Sequence, residues 1–171
     1  MEDFEGRIPL LQSIVRRGKE VSPATRVLDV VEIFRRNTSL MAVPIVSDGR
    51  YAGVISRKEL FFKWLSNKYA LDLFGNKPIS ILLENNNLAM EPELDVNSAL
   101  QRLLAMDPGL EADCFPVKSG ETCLGIVSVS DLMMEMSRTQ SMLLHDLSAM
   151  SARIRDEVAQ ARRIQQDLLP P

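Results

Sequence analysis

Ala42–Leu60, AVPIVSDGRYAGVISRKEL, lies over Cys114–Leu132, CFPVKSGETCLGIVSVSDL, without a gap. Pro44 falls on Pro116, Gly53 on Gly125, Ser56 on Ser128, Glu59 on Asp131 and Leu60 on Leu132. Each block holds two short apolar runs parted by a turn composition, SDGR in the first and SGET in the second, so each predicts a β-hairpin. Upstream, SPATRVLDVVEIF falls on EPELDVNSALQRL, with Pro23 on Pro92, Val27 on Val96, Val31 on Leu100 and Phe34 on Leu103. The upstream blocks stand 69 residues apart and the downstream blocks 72, which places about three extra residues in the MDPGLEAD loop of the second copy. Self-similarity at a nearly fixed spacing marks a duplicated unit.

Val27, Val30, Val31 and Phe34 recur at i, i+3, i+4 and i+7, one face of a helix, and Val96, Ala99, Leu100 and Leu103 repeat that face. Asn37-Thr38 and Asp107-Pro108-Gly109 end these helices. A second helix is expected after each hairpin, N-capped by Ser56 in the first copy and by Ser128 or Ser130 in the second. The unit reads strand, helix, strand, strand, helix, in duplicate, an α/β fold. The expected divisions are a first repeat at 14–66, a connecting segment at 67–87, a second repeat at 88–136 and a coiled-coil helix at 137–169.

This doubled unit resembles the cystathionine-β-synthase (CBS) domain pair, or Bateman module, over roughly Ile14 to Met136. The carrying residues are the Pro of VPIV and FPVK and the segment Gly-apolar-apolar-Ser-x-x-acid, here GVISRKE and GIVSVSD. The resemblance implies a regulatory module that binds adenine nucleotides or S-adenosylmethionine-type ligands between the copies and controls an attached effector. It also implies that the Ser approaches phosphate and the acid bonds the ribose hydroxyls. The chemistry suits that division: a carboxylate accepts charge-assisted bonds from two adjacent hydroxyls, and a hydroxyl at a helix N-terminus suits an anion.

The cleft headed by Ser128 and Asp131 ranks first, because GIVSVSD matches the pattern fully while GVISRKE carries Glu59 beside Ser56 where Asp is usual. Carried over from the family, the lining is Glu20 and Val21 on the first strand, Met41 and Ala42 before Pro44, and Ala112 and Asp113 from the same region of the second copy. An acid at Asp113 departs from the basic residue often found there and argues against a polyphosphate ligand. Near Ser56, Arg57 is a candidate phosphate partner, with solvated surface as the alternative for Arg57 and Lys58. The alternative gives Ser128 only a capping role and Asp131 only a favourable place on the helix dipole. Arg16, Arg17 and Lys19 read as a solvated strand entry, with phosphate contact as their alternative, and Cys114 and Cys123 read as core thiols.

Composition narrows the function classes. Twenty basic and 23 acidic side chains give a net charge of −3, which offers no broad positive field for nucleic acid. One His and two Cys argue against a zinc site and a disulfide scaffold. No apolar run reaches the ~18 residues of a membrane span, and MEDFEGRIPLLQSIV lacks the features of a signal peptide, so a cytoplasmic protein is expected. No P-loop, GxGxxG or nucleophile elbow is present, so no catalytic residues and no required cofactor are expected.

From Leu132 no Gly occurs, and no Pro until Pro170. Positions 133, 136, 140, 143, 147, 150, 154, 157, 161, 164 and 168 alternate spacings of three and four, and nine of the eleven are apolar. That pattern predicts a coiled coil, with a parallel homodimer as the simplest pairing, CBS helices as further contacts, and a fold-back as the alternative. ARRIQQDLLPP resembles the helix entering the catalytic domain of bacterial PPM-type serine/threonine phosphatases of the sporulation and stress-response class. The resemblance implies a phosphatase effector, with a diguanylate cyclase as second candidate.

Overall fold

The computed structural model describes residues 8–84 and 88–168. Expectations placed on 1–7, on 85–87 of the connecting segment and on 169–171, including Pro170-Pro171, lie outside the described residues. In chain order the elements are α1 (Leu11–Ile14), α2 (Val27–Arg36), β1 (Ala42–Ser47), β2 (Arg50–Ser56), a π-helical turn (Glu59–Trp64) and α3 (Ala70–Phe74). A 3-10 turn (Ile79–Leu82), α4 (Val96–Met106), β3 (Cys114–Ser119), β4 (Thr122–Ser128) and α5 (Val129–Asp167) follow. The chain divides into two compact units, 1–135 and 136–171.

The helical faces pack as the periodicity requires. Val27, Val30, Val31 and Phe34 of α2 are buried, with Val43, Ile45, Ile55 and Leu60 around them. Removing one such side chain from water contributes roughly 1.5–3 kcal/mol. In α4, Val96, Ala99 and Leu103 are buried and Leu100 is half-buried. Asp95 caps α4 by accepting from the Ser98 amide at 2.9 Å. The start of α2 has no side-chain cap. Its Val27 and Leu28 amides instead donate to the Lys77 and Gly75 carbonyls, which satisfies donors a helix otherwise leaves open.

The hairpins repeat each other in detail. Ala42 pairs with Ser56 and Cys114 with Ser128, and each ladder shifts register once, after Ile45 and after Val117. The first loop is Asp48-Gly49, with φ of 50° and 78°, the left-handed pair a tight twisted hairpin needs. Each hairpin is its own two-stranded antiparallel sheet. Ala42, Cys114 and Ile126, with Val54 against them, form a small apolar contact between the two.

The leading segments cross over reciprocally. Leu11 and Gln12 donate to Leu94 and Pro92 of the second repeat, and Val96 donates back to Pro9. Ile79 and Ser80 donate to Thr25 and Pro23 of the first repeat, and Val27 donates back to Lys77. The stretch before each copy thus straps the other copy.

Two elements differ from expectation. The strands at Glu20–Val21 and its counterpart shrink to single parallel bridges, Val21 to Ile45 and Met90 to Val117. Pro23 and Pro92, two residues beyond, lack the N–H to extend a ladder. The second helix of the first copy is a six-residue π-helical turn closed by Leu65 N–H to the Leu60 carbonyl at 2.9 Å. Its Leu60 is buried, and Phe61, Trp64 and Leu65 pack onto the first core.

The counterpart in the second copy is α5, 39 residues long, or about 58 Å at 1.5 Å per residue. It runs uninterrupted to Asp167, so no turn for a fold-back occurs within it. Leu147, Met150, Ile154 and Ile164 along it, and Leu168 just past its end, are all exposed. No helix among the described residues is long and apolar enough to cross a membrane.

Two clefts between the repeats form the candidate binding site

The repeat symmetry generates two clefts. Each is headed by the Ser that ends one hairpin, and each is walled by the entry to the other hairpin. The Ser128 cleft, about 550 Å³, takes Ser128, Ser130 and Asp131 from the second copy and Leu40, Met41, Ala42 and Pro44 from the first. The Ser56 cleft, about 690 Å³, takes Ser56, Lys58 and Glu59 from the first copy and Glu111, Ala112, Asp113 and Cys114 from the second.

Both serines cap. Ser128 Oγ accepts the Asp131 amide at 3.0 Å, and Ser56 Oγ accepts the Glu59 amide at 3.0 Å. Ser128, not Ser130, is therefore the cap of α5, and Ser130 Oγ lies 3.1 Å from Ser128 Oγ. The Val129 amide donates to the Asp113 carbonyl at 2.9 Å. Two of the amides in the first turn of α5 thus already have partners, and an anion at this cleft depends more on side-chain cations than on main-chain donors.

Those cations are present. Arg16, Arg17 and Lys19 line the Ser128 cleft, against one acid, Asp131. The Arg16 guanidinium grips that acid with both arms, Nε to Oδ2 at 2.9 Å and Nη2 to Oδ1 at 3.0 Å. Arg16 arrives there because its main chain exchanges two hydrogen bonds with Ile126 of β4, at 2.9 and 3.0 Å. Gly125, at φ +150°, permits that approach: a Cβ there would meet the Arg16 carbonyl oxygen at 2.4 Å.

The Ser56 cleft has the opposite balance. Glu59, Glu84, Asp107, Glu111 and Asp113 face Lys58 and Lys63. Lys58 Nζ spans to the Glu111 carbonyl at 2.8 Å, and Lys63 pairs with Glu84. Burial pushes the Glu59 carboxyl above its ordinary pKa; Glu84 and Asp113 push the same way, against the Ser56 hydrogen bond and Lys63. Burial likewise raises the Cys114 thiol, with the Asp113 charge adding to it.

The candidate residues separate accordingly. Ser128, Asp131, Met41 and Ala42 come together in one cleft. Ala112 and Asp113 line the other, with Ser56 and Glu59, so the acid at Asp113 bears on that cleft alone. Glu20 and Val21 face a separate groove along α2, with Thr25, Asp29 and Glu32. Arg57 is committed elsewhere: its Nε donates to the Leu40 carbonyl at 2.9 Å and its Nη2 to the Phe34 and Asn37 carbonyls, with the guanidinium 5.0 Å from the Phe34 ring centre. It satisfies the C-terminal carbonyls of α2 and has no donor turned toward Ser56 among these bonds. The basic run RRGK was the available signal for the cations of the Ser128 cleft. Among the described residues no group of three His, Cys, Asp or Glu side chains is placed to hold a metal ion.

Residues 19–65 match the family model of the CBS domain. The fold is that of a CBS pair. The chain is similar to the CBS-domain containing protein ATU1752 of Agrobacterium tumefaciens, at 15% identity and a TM-score of 0.61, covering 80% of this chain and 99% of that one. It is also similar to CBSX2, crystallised in complex with AMP, at 16% identity and TM-score 0.60, covering 77% of this chain and 98% of that one. A third likeness is the CBS domain pair of protein MJ0100, in complex with 5′-methylthioadenosine and S-adenosyl-L-methionine, at 16% identity and TM-score 0.59, covering 76% and 97%. No curated protein matches the sequence.

Proposed function

We propose that this chain is a regulatory sensor that binds an adenosyl ligand, of the AMP, ATP or S-adenosylmethionine type, in the Ser128/Asp131 cleft. The observation that carries the reading is the convergence there of a carboxylate, two serine hydroxyls and three cationic side chains across the two repeats. Asp131 is the acceptor for the ribose hydroxyls, and Arg16, Arg17 and Lys19 attract the phosphate. CBSX2 in complex with AMP and the MJ0100 pair in complex with S-adenosyl-L-methionine support the ligand class. The ligand's effect passes along α5, whose exposed apolar seam pairs with the same seam of a second chain, to a C-terminal effector. The ARRIQQDLLPP segment favours a PPM-type phosphatase as that effector.

A second reading rests on the same cleft. The Arg16–Asp131 pair is also what a ligand-free interaction module would use to lock its repeats together, with Ser128 serving only to cap α5. Calorimetry with AMP, ATP and S-adenosylmethionine, at protein well above micromolar, separates the two. The sensor gives heat with at least one ligand. In that case Asp131→Ala lowers affinity at least tenfold, since charge-assisted bonds contribute roughly 1.5–3 kcal/mol each, and Glu59→Ala lowers it less. No heat with any of the three supports the interaction module.

A further inference from the structure

Asp131 already has a partner for both of its oxygens. Arg16 Nε and Nη2 take Oδ2 and Oδ1 in a side-on pair, the same two acceptors a ribose diol requires. We propose that Arg16 determines the specificity of this cleft: it competes with ribose for Asp131 and yields only to an adenosyl ligand that carries phosphate. The inference rests on the reading of Asp131 as the ribose acceptor.

Three features support it. The Arg16 side chain is 75% exposed and that of Asp131 21%. The pair is two-pronged, with its Arg16 side open to water and its Asp131 side largely covered, so a ligand displaces it only by offering the guanidinium an equivalent acceptor. The main chain of Arg16 cannot follow, because both of its hydrogen bonds to Ile126 hold it to β4 and Gly125 seats it there. The released guanidinium therefore stays at the cleft beside Arg17 and Lys19. A phosphate group offers it a new two-pronged acceptor, the strong form of such a bond. A neutral nucleoside offers none, and leaves three cations facing a ligand that answers none of them. A sulfonium ligand brings a fourth positive charge.

Among the described residues the other cleft has no such device. There the glycine equivalent to Gly125 is Gly53, and its space is closed by the Leu83 side chain, 3.0 Å from where a Cβ would sit.

Calorimetry of the full chain with AMP, adenosine and S-adenosylmethionine tests this, using wild type, Arg16→Gln, Arg16→Lys and Asp131→Ala. Wild type should bind AMP at least about tenfold more tightly than adenosine. Arg16→Gln should weaken AMP about tenfold and tighten adenosine severalfold, because nothing then competes for Asp131. Arg16→Lys, which keeps the charge but loses the fork, should fall between them. If Arg16→Gln weakens AMP and adenosine equally, or changes neither, the selecting role of Arg16 is overturned. If Asp131→Ala leaves AMP binding intact, or wild type binds none of the three, the ribose reading falls and takes this inference with it. Loss of AMP binding in Asp131→Ala with an unchanged AMP-to-adenosine ratio in Arg16→Gln overturns the Arg16 role alone.

Discussion

Substituting glycines of the two hairpins one at a time should give a graded series, with Gly125→Ala by far the most damaging. Gly125 sits at φ +150°, where side chains are strained, and its added Cβ would lie 2.4 Å from the Arg16 carbonyl oxygen and 2.9 Å from its carbonyl carbon. Both are main-chain atoms held by Ile126, so neither can step aside without breaking the pair of hydrogen bonds. Backbone strain of this kind costs about 1–3 kcal/mol. Two main-chain hydrogen bonds add about 1 kcal/mol each, giving about 3–5 kcal/mol in all. Gly49→Ala meets nothing within 4 Å, and pays only for its φ of +78°, about 1–2 kcal/mol. Gly53→Ala meets only the end of Leu83, a flexible side chain, and should change stability by about 1 kcal/mol or less. Urea unfolding followed by circular dichroism measures all three, and the thermal midpoint should fall by about 10 °C for Gly125→Ala. If Gly125→Ala costs no more than Gly49→Ala, the close crossing of Arg16 over β4 is not what holds the N-terminal segment, and the argument for its place in the cleft fails.

The remaining predictions are more local. Glu59 has a raised pKa in the folded chain, so between its ordinary value and that raised value the folded state binds the extra proton and stability falls as pH rises. Glu59→Gln should therefore stabilise the protein at neutral pH, and the gain should vanish as pH drops below the ordinary glutamate range; an equal gain at pH 4 and pH 7 would refute it. Cys114 and Cys123 are free and buried, with thiols pushed up by burial, so both should label slowly with a thiol reagent until denaturant is added, and fast native labelling would contradict this. Glu157 interrupts the apolar seam of α5, so Glu157→Leu should stabilise self-association and deletion of 138–171 should weaken it. Sedimentation of the intact chain should show a dimer at tens of micromolar, and a monomer there would sink the coil.

The fold was legible wherever a pattern repeats at short range. Val27, Val30, Val31 and Phe34 announced α2, and Asp48-Gly49 announced its hairpin turn, because helical and turn geometry depend on neighbours in sequence. The π-helical turn at Glu59–Trp64 was not legible, since its apolar residues fit an α-helix as well. The site was half legible. Ser128, Asp131, Met41 and Ala42 converge as the motif implied. The placing of Asp113 could have been read from the repeat itself: it is the counterpart of Met41, so it must face the opposite cleft. The basic run RRGK hinted at cations near a cleft, but the grip of Arg16 on Asp131 could not be read, because its pairing with Ile126 spans more than a hundred residues and leaves no local signature. Arg57 and Arg16 look alike as solvated cations in the sequence, yet one closes a helix end and the other grips Asp131.

The central claim is that the ligand enters the cleft of Ser128 and Asp131. The direct measurement is an amide-resolved NMR titration of the isotope-labelled chain with AMP. The account predicts that the amides of residues 16–19, 41–42 and 128–131 shift together and saturate with one affinity, while those of 56–59 and 112–113 move little. Shifts confined to the second set, or none at millimolar AMP, would contradict it.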